Sequence, residues 1–254
     1  MTFGAKYIKG DPGARCSPGS GVFAVDDNGT DGRQWGQPRN ISSFLGGMSG
    51  SSGWGGVVPG PGAGAVTVAR NPGRILMSGS DGAYARDVVY FSDDGGASWA
   101  ASATALPGMD ESGPAELPDG TIYVTLRNAW AGHRQAYALS QDGGATFSAP
   151  QLDPALVSPQ CQASVAVLAG RLFFCNSAEA GARGNLTVRR SAPGGAGSPP
   201  EWESALLLQQ GLTWGGYSSV AGPLQGGRAG VLAERNDTLG GNVISYTTFP
   251  LFGW

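Results

Sequence analysis

Two eight-residue loops with the same pattern constrain this chain more than any other feature. Residues 92–99 and 140–147 both read S-x-D-x-G-x-[ST]-aromatic, and they begin 48 residues apart. A repeat of this length is typical of propellers and other arrays in which one small sheet recurs. Asp and Gly tolerate the backbone angles of a tight turn, and Ser and Thr hydroxyls bond to the main chain. The pattern predicts hairpin turns whose aromatic residue packs beside the next sheet.

Short β-rich runs separated by turn residues recur along the whole chain. They cover residues 65–69, 88–91, 121–126, 171–175, 185–189 and 243–247. No window of a dozen residues shows a sustained helical period. The 254 residues include 44 Gly and 17 Pro, which suit many tight turns, and 41% are hydrophobic, which is enough for a core. We therefore predict one all-β domain spanning residues 1–254.

Charge and hydropathy argue against two classes of partner. The net charge is -3 and there is no basic patch, so we predict no nucleic-acid binding. No apolar run reaches 18 residues, so we predict no membrane span.

The three cysteines, Cys16, Cys161 and Cys175, lack metal-type spacing. We predict buried free thiols, with a Cys161–Cys175 disulfide as the alternative in a secreted protein, and neither a metal site nor a cofactor.

Glycosylation sequons bear on the compartment. The N-x-[ST] pattern begins at Asn28, Asn40, Asn185 and Asn236. Four sequons favour a secreted or lysosomal-type compartment. The opening M-T-F-G-A-K does not resemble a signal peptide, which has a charged start followed by an apolar core. The localisation is therefore left open.

Beyond the two loops, a series of segments resembles the sialidase family in collinear order, and the loops themselves resemble the Asp boxes of that family. The segments are P-G-P-G-A-G at 59–64, G-R-I-L at 73–76, D-E-S at 110–112, E-L-P-D-G at 116–120, L-R-N at 126–128, C-Q-A-S at 161–164, R-G-N-L-T-V-R at 183–189, G-Y-S-S at 216–219 and G-V-L-A-E at 230–234. The resemblance implies an all-β, six-bladed β-propeller of four-stranded antiparallel blades, with the active site at its central axis.

The resemblance also implies an exo-α-sialidase that removes terminal sialic acids with retention. Its substrates would be sialylated glycoproteins, glycolipids or oligosaccharides. Arg127 and Arg183 match two of the three family arginines that bind the substrate carboxylate, as paired guanidinium donors do well. Tyr217 matches the nucleophile, a phenol that the substrate carboxylate does not repel. Glu111 matches the base that this phenol needs, because its ordinary pKa is near ~10. Glu234 matches a supporting position.

The sequence departs from the family at its start. No R-[IV]-P motif carries the first arginine of the triad, and residues 1–7 resemble the strand that follows that motif. We therefore expect an incomplete first blade, either because the reading frame is incomplete or because the chain is a degenerate relative. Asp11 is the best candidate by spacing for the family's acid. It lies in a Gly/Pro-rich stretch, and a plain turn aspartate is an equal alternative.

Other interpretations of these residues remain open. Taken singly, Arg127 and Arg183 also suit solvated surface charges, Tyr217 suits an aromatic packed between blades, and Glu111 suits a turn cap. The main alternative function is a non-catalytic Asp-box propeller that acts as a sialoglycan-binding or interaction module. The four residues together favour the enzyme, whereas the missing arginine motif favours the module. A glycosidase with two carboxylates is a third hypothesis, against which Tyr217 argues.

Overall fold

The computed structural model describes residues 2–6, 21–25, 36–45, 58–61, 63–80, 85–194, 200–212, 216–236 and 241–254. These parts of the chain contain twenty β-strands and one short 3-10 helix, Ser42–Leu45. The prediction of an all-β fold is therefore confirmed. Within the same residues, no helix has the length and hydropathy needed to cross a membrane.

The strands form five antiparallel sheets in which neighbours follow the chain order. The first contains β1 (Thr2–Lys6), β2 (Gly21–Val25) and β3 (Arg39–Asn40). The second contains β4 (Val58–Pro59), β5 (Ala65–Val66), β6 (Ile75–Ser80), β7 (Arg86–Ser92), β8 (Ala100–Ala101) and β9 (Leu106–Pro107). The third contains β10 (Met109–Glu116), β11 (Ile122–Asn128), β12 (Arg134–Ser140) and β13 (Gln151–Val157). The fourth contains β14 (Ser164–Leu168), β15 (Arg171–Ser177), β16 (Gly184–Ser191) and β17 (Trp202–Leu212). The fifth contains β18 (Ser218–Leu224), β19 (Arg228–Asn236) and β20 (Asn242–Pro250).

The last four sheets are successive propeller blades, and the small first sheet precedes them. The third and fourth sheets are four-stranded, as predicted. In the second sheet, β4 and β5 both pair with β6, and β8 and β9 both pair with β7, so its inner and outer strands are each broken. The predicted count of six blades is not found among the described residues. At 48 residues per repeat, 254 residues hold only about five such sheets.

The hydrophobic core lies between neighbouring blades. The inner strands β10, β14 and β18 contact one another in series, and β10 also packs on β6. Between the last two blades, Phe173, Val220 and Phe249 are fully buried in one cluster. The ring of Phe173 lies 5.9 Å from that of Phe249 and 6.2 Å from that of Trp254. Burial of these facing sheet surfaces stabilises the stack of blades.

The two Asp-box loops form the same hydrogen-bond network. In the first loop, the Ser92 hydroxyl donates to Asp94 Oδ1 at 2.8 Å, and Asp94 accepts both the main-chain N–H (2.8 Å) and the hydroxyl (2.5 Å) of Ser98. Trp99, which ends this loop, is only 6% exposed and packs in the core.

In the second loop, the Ser140 hydroxyl donates to Asp142 Oδ1 at 2.7 Å, and Asp142 accepts the N–H (2.9 Å) and hydroxyl (2.6 Å) of Thr146. Phe147 is 7% exposed. The predicted turn chemistry is therefore present in both copies.

Candidate active site

Four predicted site residues lie where strands begin or end on one edge of the blades. Glu111 lies near the start of β10, and Arg127 lies near the end of its antiparallel partner β11. Arg183 immediately precedes β16, and Tyr217 immediately precedes β18. Because β12 runs away from this edge before its Asp box begins at Ser140, the box lies at the opposite end of the blade. Three blades thus supply side chains to one edge.

Tyr217, Glu111 and Arg127 form a hydrogen-bonded group. The Tyr217 hydroxyl donates to Glu111 Oε1 across 106 residues of sequence. Arg127 Nη1 donates to Glu111 Oε2 at 2.5 Å and to the Tyr217 hydroxyl oxygen at 3.1 Å. The side chains of Arg127 and Glu111 are 14% and 18% exposed, so their ion pair is largely screened from water. The phenol thus lies between a proton acceptor and a positive charge.

The pKa of Tyr217 is raised above its ordinary value of 10.0. Burial is the largest cause, followed by the hydrogen bond to Glu111 and the negative charge of that carboxylate, while the positive charge of Arg127 opposes the rise. The resting phenol therefore keeps its proton at neutral pH. A reaction at the phenolic oxygen requires that Glu111 remove this proton as the new bond forms.

Arg183 lies near the ring of Tyr217. Its guanidinium carbon is 5.8 Å from the centroid of the Tyr217 ring, within the range of a cation–π contact. The positive charges of Arg183 and Arg127 also act on the buried Cys161 thiol, whose pKa is nevertheless raised by burial. Two arginines therefore lie near one phenol.

Glu234 contacts Tyr217 through the main chain. Its N–H donates to the Tyr217 carbonyl at 3.0 Å, and its carboxylate accepts the Tyr217 N–H at 3.3 Å. These bonds hold the backbone that carries the phenol and do not reach the phenolic oxygen. The supporting role of Glu234 stays a prediction.

The candidate acid and the cysteines were also subjects of prediction. Asp11, the candidate acid, lies outside the described residues, as does Cys16. Cys161 and Cys175 are both buried and carry free thiols, so the alternative disulfide is not formed. Within the described ranges, no group of three His, Cys, Asp or Glu side chains is arranged to hold a metal ion.

Gln162 was not among the predicted site residues, although it lies in the C-Q-A-S segment that resembles the family. The Gln162 side chain accepts a hydrogen bond from the Ser218 N–H at 2.9 Å and donates one to the Ser218 carbonyl at 3.0 Å. Ser218 is the residue directly after Tyr217. The signal was a polar residue in a matched segment, but the partner 56 residues away was not visible in the sequence.

Comparison with known proteins gives matches to a repeat-domain profile and to sialidases. A family profile described as a BNR repeat-like domain matches residues 21–227. The sialidase of Micromonospora viridifaciens is 31% identical over 175 residues, which cover 65% of this chain and 25% of that protein. The sialidase of Bacteroides fragilis is 28% identical over 203 residues, which cover 75% of this chain and 35% of that protein. The chain therefore spans a quarter to about a third of the length of these curated relatives.

Solved structures agree on the fold. The NanB sialidase from Streptococcus pneumoniae superposes with a TM-score of 0.75 at 19% identity, over 92% of this chain and 36% of that chain. A protein of unknown function from Dyadobacter fermentans superposes with a TM-score of 0.68 at 18% identity, over 97% of this chain and 71% of that chain. With the profile matching most of its length and the propeller blades present, the chain belongs to the family of BNR repeat-like domains.

Proposed function

We propose that this chain carries the active site of a retaining exo-α-sialidase with Tyr217 as its nucleophile. The observation that supports this best is the hydrogen-bonded group of Tyr217, Glu111 and Arg127, which is assembled from two different blades. An aromatic residue that served only to pack between blades would have no need of a carboxylate and a guanidinium at its hydroxyl. The likeness of the chain to two sialidases supports the same reaction class.

The charge of the substrate explains the choice of nucleophile. Sialic acid has a carboxylate on its reacting carbon, and this group would repel a carboxylate nucleophile. A neutral phenol approaches without that cost. Arg127 and Arg183 are the residues that we assign to the substrate carboxylate, because guanidinium groups bind it through parallel charged hydrogen bonds.

In the first step, the Tyr217 oxygen bonds to the anomeric carbon while the bond from that carbon to the aglycone oxygen breaks. Glu111 accepts the phenolic proton, and an acid protonates the departing oxygen. We keep Asp11 as the proposed acid on the basis of the sequence. Because the pKa of Tyr217 is raised, the proton transfer to Glu111 accompanies bond formation.

In the second step, water attacks the same carbon and the phenolic oxygen leaves. Glu111 returns the proton to Tyr217, and the conjugate base of the acid accepts a proton from the water. Two inversions at one carbon give net retention. Arg127 Nη1, at 3.1 Å from the phenolic oxygen, stabilises the negative charge that this oxygen carries as it leaves.

Hydrolysis of an aryl α-sialoside by the purified chain tests the proposal, with the anomer first released identified by NMR. Tyr217→Phe should abolish most of the turnover, with Tyr246→Phe, an exposed tyrosine on β20, as the matched control. Glu111→Gln should also reduce turnover strongly, with the exposed Glu201→Gln as its control. Mass spectrometry after reaction with a fluorinated sialosyl donor should find the adduct on Tyr217.

Two results would contradict the proposal. Full turnover in Tyr217→Phe would exclude the phenol as nucleophile, and release of the inverted anomer would exclude the two-step route. Binding of sialosides without any turnover by the wild-type chain would instead favour a glycan-binding propeller.

A further inference from the structure

The backbone next to Tyr217 is held by a side chain from the neighbouring blade. Gln162, two residues before β14, is 1% exposed. Its Oε1 accepts the Ser218 N–H at 2.9 Å, and its Nε2 donates to the Ser218 carbonyl at 3.0 Å. One amide thus satisfies both main-chain hydrogen-bonding groups of the residue that follows Tyr217, as a neighbouring β-strand would.

The same amide reaches a third blade. Gln162 Nε2 also donates to the Pro61 carbonyl at 3.3 Å, in the segment between β4 and β5. A glutamine amide has two N–H donors, and both are used here. Gln162 therefore fixes the start of β18 relative to two other parts of the propeller, and no freedom of rotation remains in its amide.

Two serines extend this contact along β18. The Ser218 hydroxyl donates to the Cys175 carbonyl at 3.0 Å, so its only hydrogen is committed. The Ser164 hydroxyl, 3.0 Å away, must then donate to the Ser218 oxygen, and it accepts the Val220 N–H at 3.1 Å. Ser218 and Val220, the first and third residues of β18, are thus held by polar side chains of the C-Q-A-S segment.

We infer that Gln162 is a positioning residue that holds Tyr217 in line with Glu111 and Arg127. This inference rests on the proposed function for its effect on turnover. Tyr217 and Glu111 come from different blades, so the distance between their reacting atoms depends on contacts between blades. A misplacement of about 1 Å at a reacting group can cost about 10²-fold in rate. No hydrogen bond of Gln162 among the described residues reaches Arg127 or Arg183, so substrate binding should be less affected than turnover.

Gln162→Met tests the inference, because methionine has a similar length and cannot make the two bonds to Ser218. We expect kcat to fall by about 100-fold while KM changes by less than about 3-fold. Gln135→Met is the matched control: Gln135 is also 1% exposed, but its amide donates to Thr125 on β11. Ser164→Ala should lower kcat less than Gln162→Met, since it leaves the paired bonds of Gln162 intact, and it provides a second variant if Gln162→Met fails to fold.

A spectroscopic measurement separates this inference from the proposed function. In protein labelled with 3-fluorotyrosine, the ¹⁹F resonance of Tyr217 is the one of seven that disappears in Tyr217→Phe. It should shift or broaden in Gln162→Met and stay in place in Gln135→Met. An unchanged resonance, or equal kcat losses in the two glutamine variants, would overturn the inference. If the wild-type chain shows no turnover but the resonance still moves only in Gln162→Met, the sialidase proposal fails and the positioning of Tyr217 by Gln162 stands.

Discussion

The side chain of Asp87 lies between two blades, close to the segment that carries Glu111. Asp87 is 0% exposed, and neither oxygen of its carboxyl group has a well-formed hydrogen bond among the described residues. Burial raises the pKa of Asp87 from 3.8 to about 8; the negative charge of Asp110 adds to the rise, and the neighbouring Ser112 hydroxyl offsets only part of it. We therefore expect Asp87 to be a neutral acid in the folded protein at pH 7.

The sign of the pH dependence follows from the two pKa values. The folded state holds the Asp87 proton up to about pH 8, whereas the unfolded chain releases it near 3.8. Between these values the folded state binds more protons, so the free energy of unfolding decreases as pH rises. The slope for one group is about 1.36 kcal/mol per pH unit, so about 2.5 kcal/mol is lost between pH 5 and 7. Both pH 5 and pH 7 lie between the pKa of the unfolded chain and that of the folded state. The loss in stability is therefore nearly the same for any folded-state pKa of Asp87 above 7.

Asp87→Asn removes the titration while keeping the shape of the side chain. The new amide adds its own desolvation cost, but that cost is the same at every pH and cancels in the comparison. We therefore expect the stability of the variant relative to wild type to increase by about 2.5 kcal/mol from pH 5 to 7, or a relative shift in Tm of roughly 5–10 °C. Urea denaturation at several pH values measures this difference directly.

The exposed Asp119→Asn variant controls for the loss of one carboxylate from the chain. A difference between Asp87→Asn and wild type that stays flat from pH 5 to 7 would show that Asp87 is ionised in the folded state. If the wild type instead gained stability relative to Asp87→Asn as pH rises, the predicted sign of the pH dependence would be wrong.

Two further predictions concern carboxylates that accept hydrogen bonds from main-chain N–H groups. Glu116 accepts the main-chain N–H groups of residues 68–70 at 2.5–3.0 Å, so Glu116→Gln should cost about 1.5–3 kcal/mol in urea denaturation, and Glu201→Gln should cost little. Burial alone would raise the pKa of Asp142, but hydrogen bonds from Thr146 and others lower it to about 2. Its contribution is present above pH 3.8 and lost towards pH 2, so thermal scans should show Asp142→Asn less stable than wild type at pH 5 and nearly equal at pH 2.

Features encoded by local sequence were predictable. The Asp-box loops depend on contacts within eight residues, so the positions of Asp94 and Asp142 sufficed to predict their turns. The all-β architecture followed from short apolar runs and turn residues. The count of six blades came from the family resemblance, whereas the described residues form four blades and one small sheet.

Features that depend on distant contacts were less accessible. Tyr217, Glu111 and Arg127 were identified through their motifs, but their hydrogen bonds span up to 106 residues. Gln162 lies in a matched segment that did not reveal its partner, and Asp87 lies in none of the matched segments. A glutamine in a polar segment and an aspartate at the start of a strand are common on protein surfaces, and only the packing of blades buries them.

Under the proposed function, the placement of the catalytic candidates makes the interface between blades part of the chemistry. Glu111 begins the inner strand β10, Tyr217 precedes the inner strand β18, and β14 lies between these strands. A rotation of one blade against the next would therefore change the separation of phenol and carboxylate, although each blade would keep its own hydrogen bonds. The apolar contacts between blades are non-directional, so they do not by themselves set the orientation of the phenol. Directional bonds from side chain to main chain, as Gln162 makes to Ser218, are what can fix that separation. Substitutions at these bonds should therefore reduce turnover more than their cost in stability suggests.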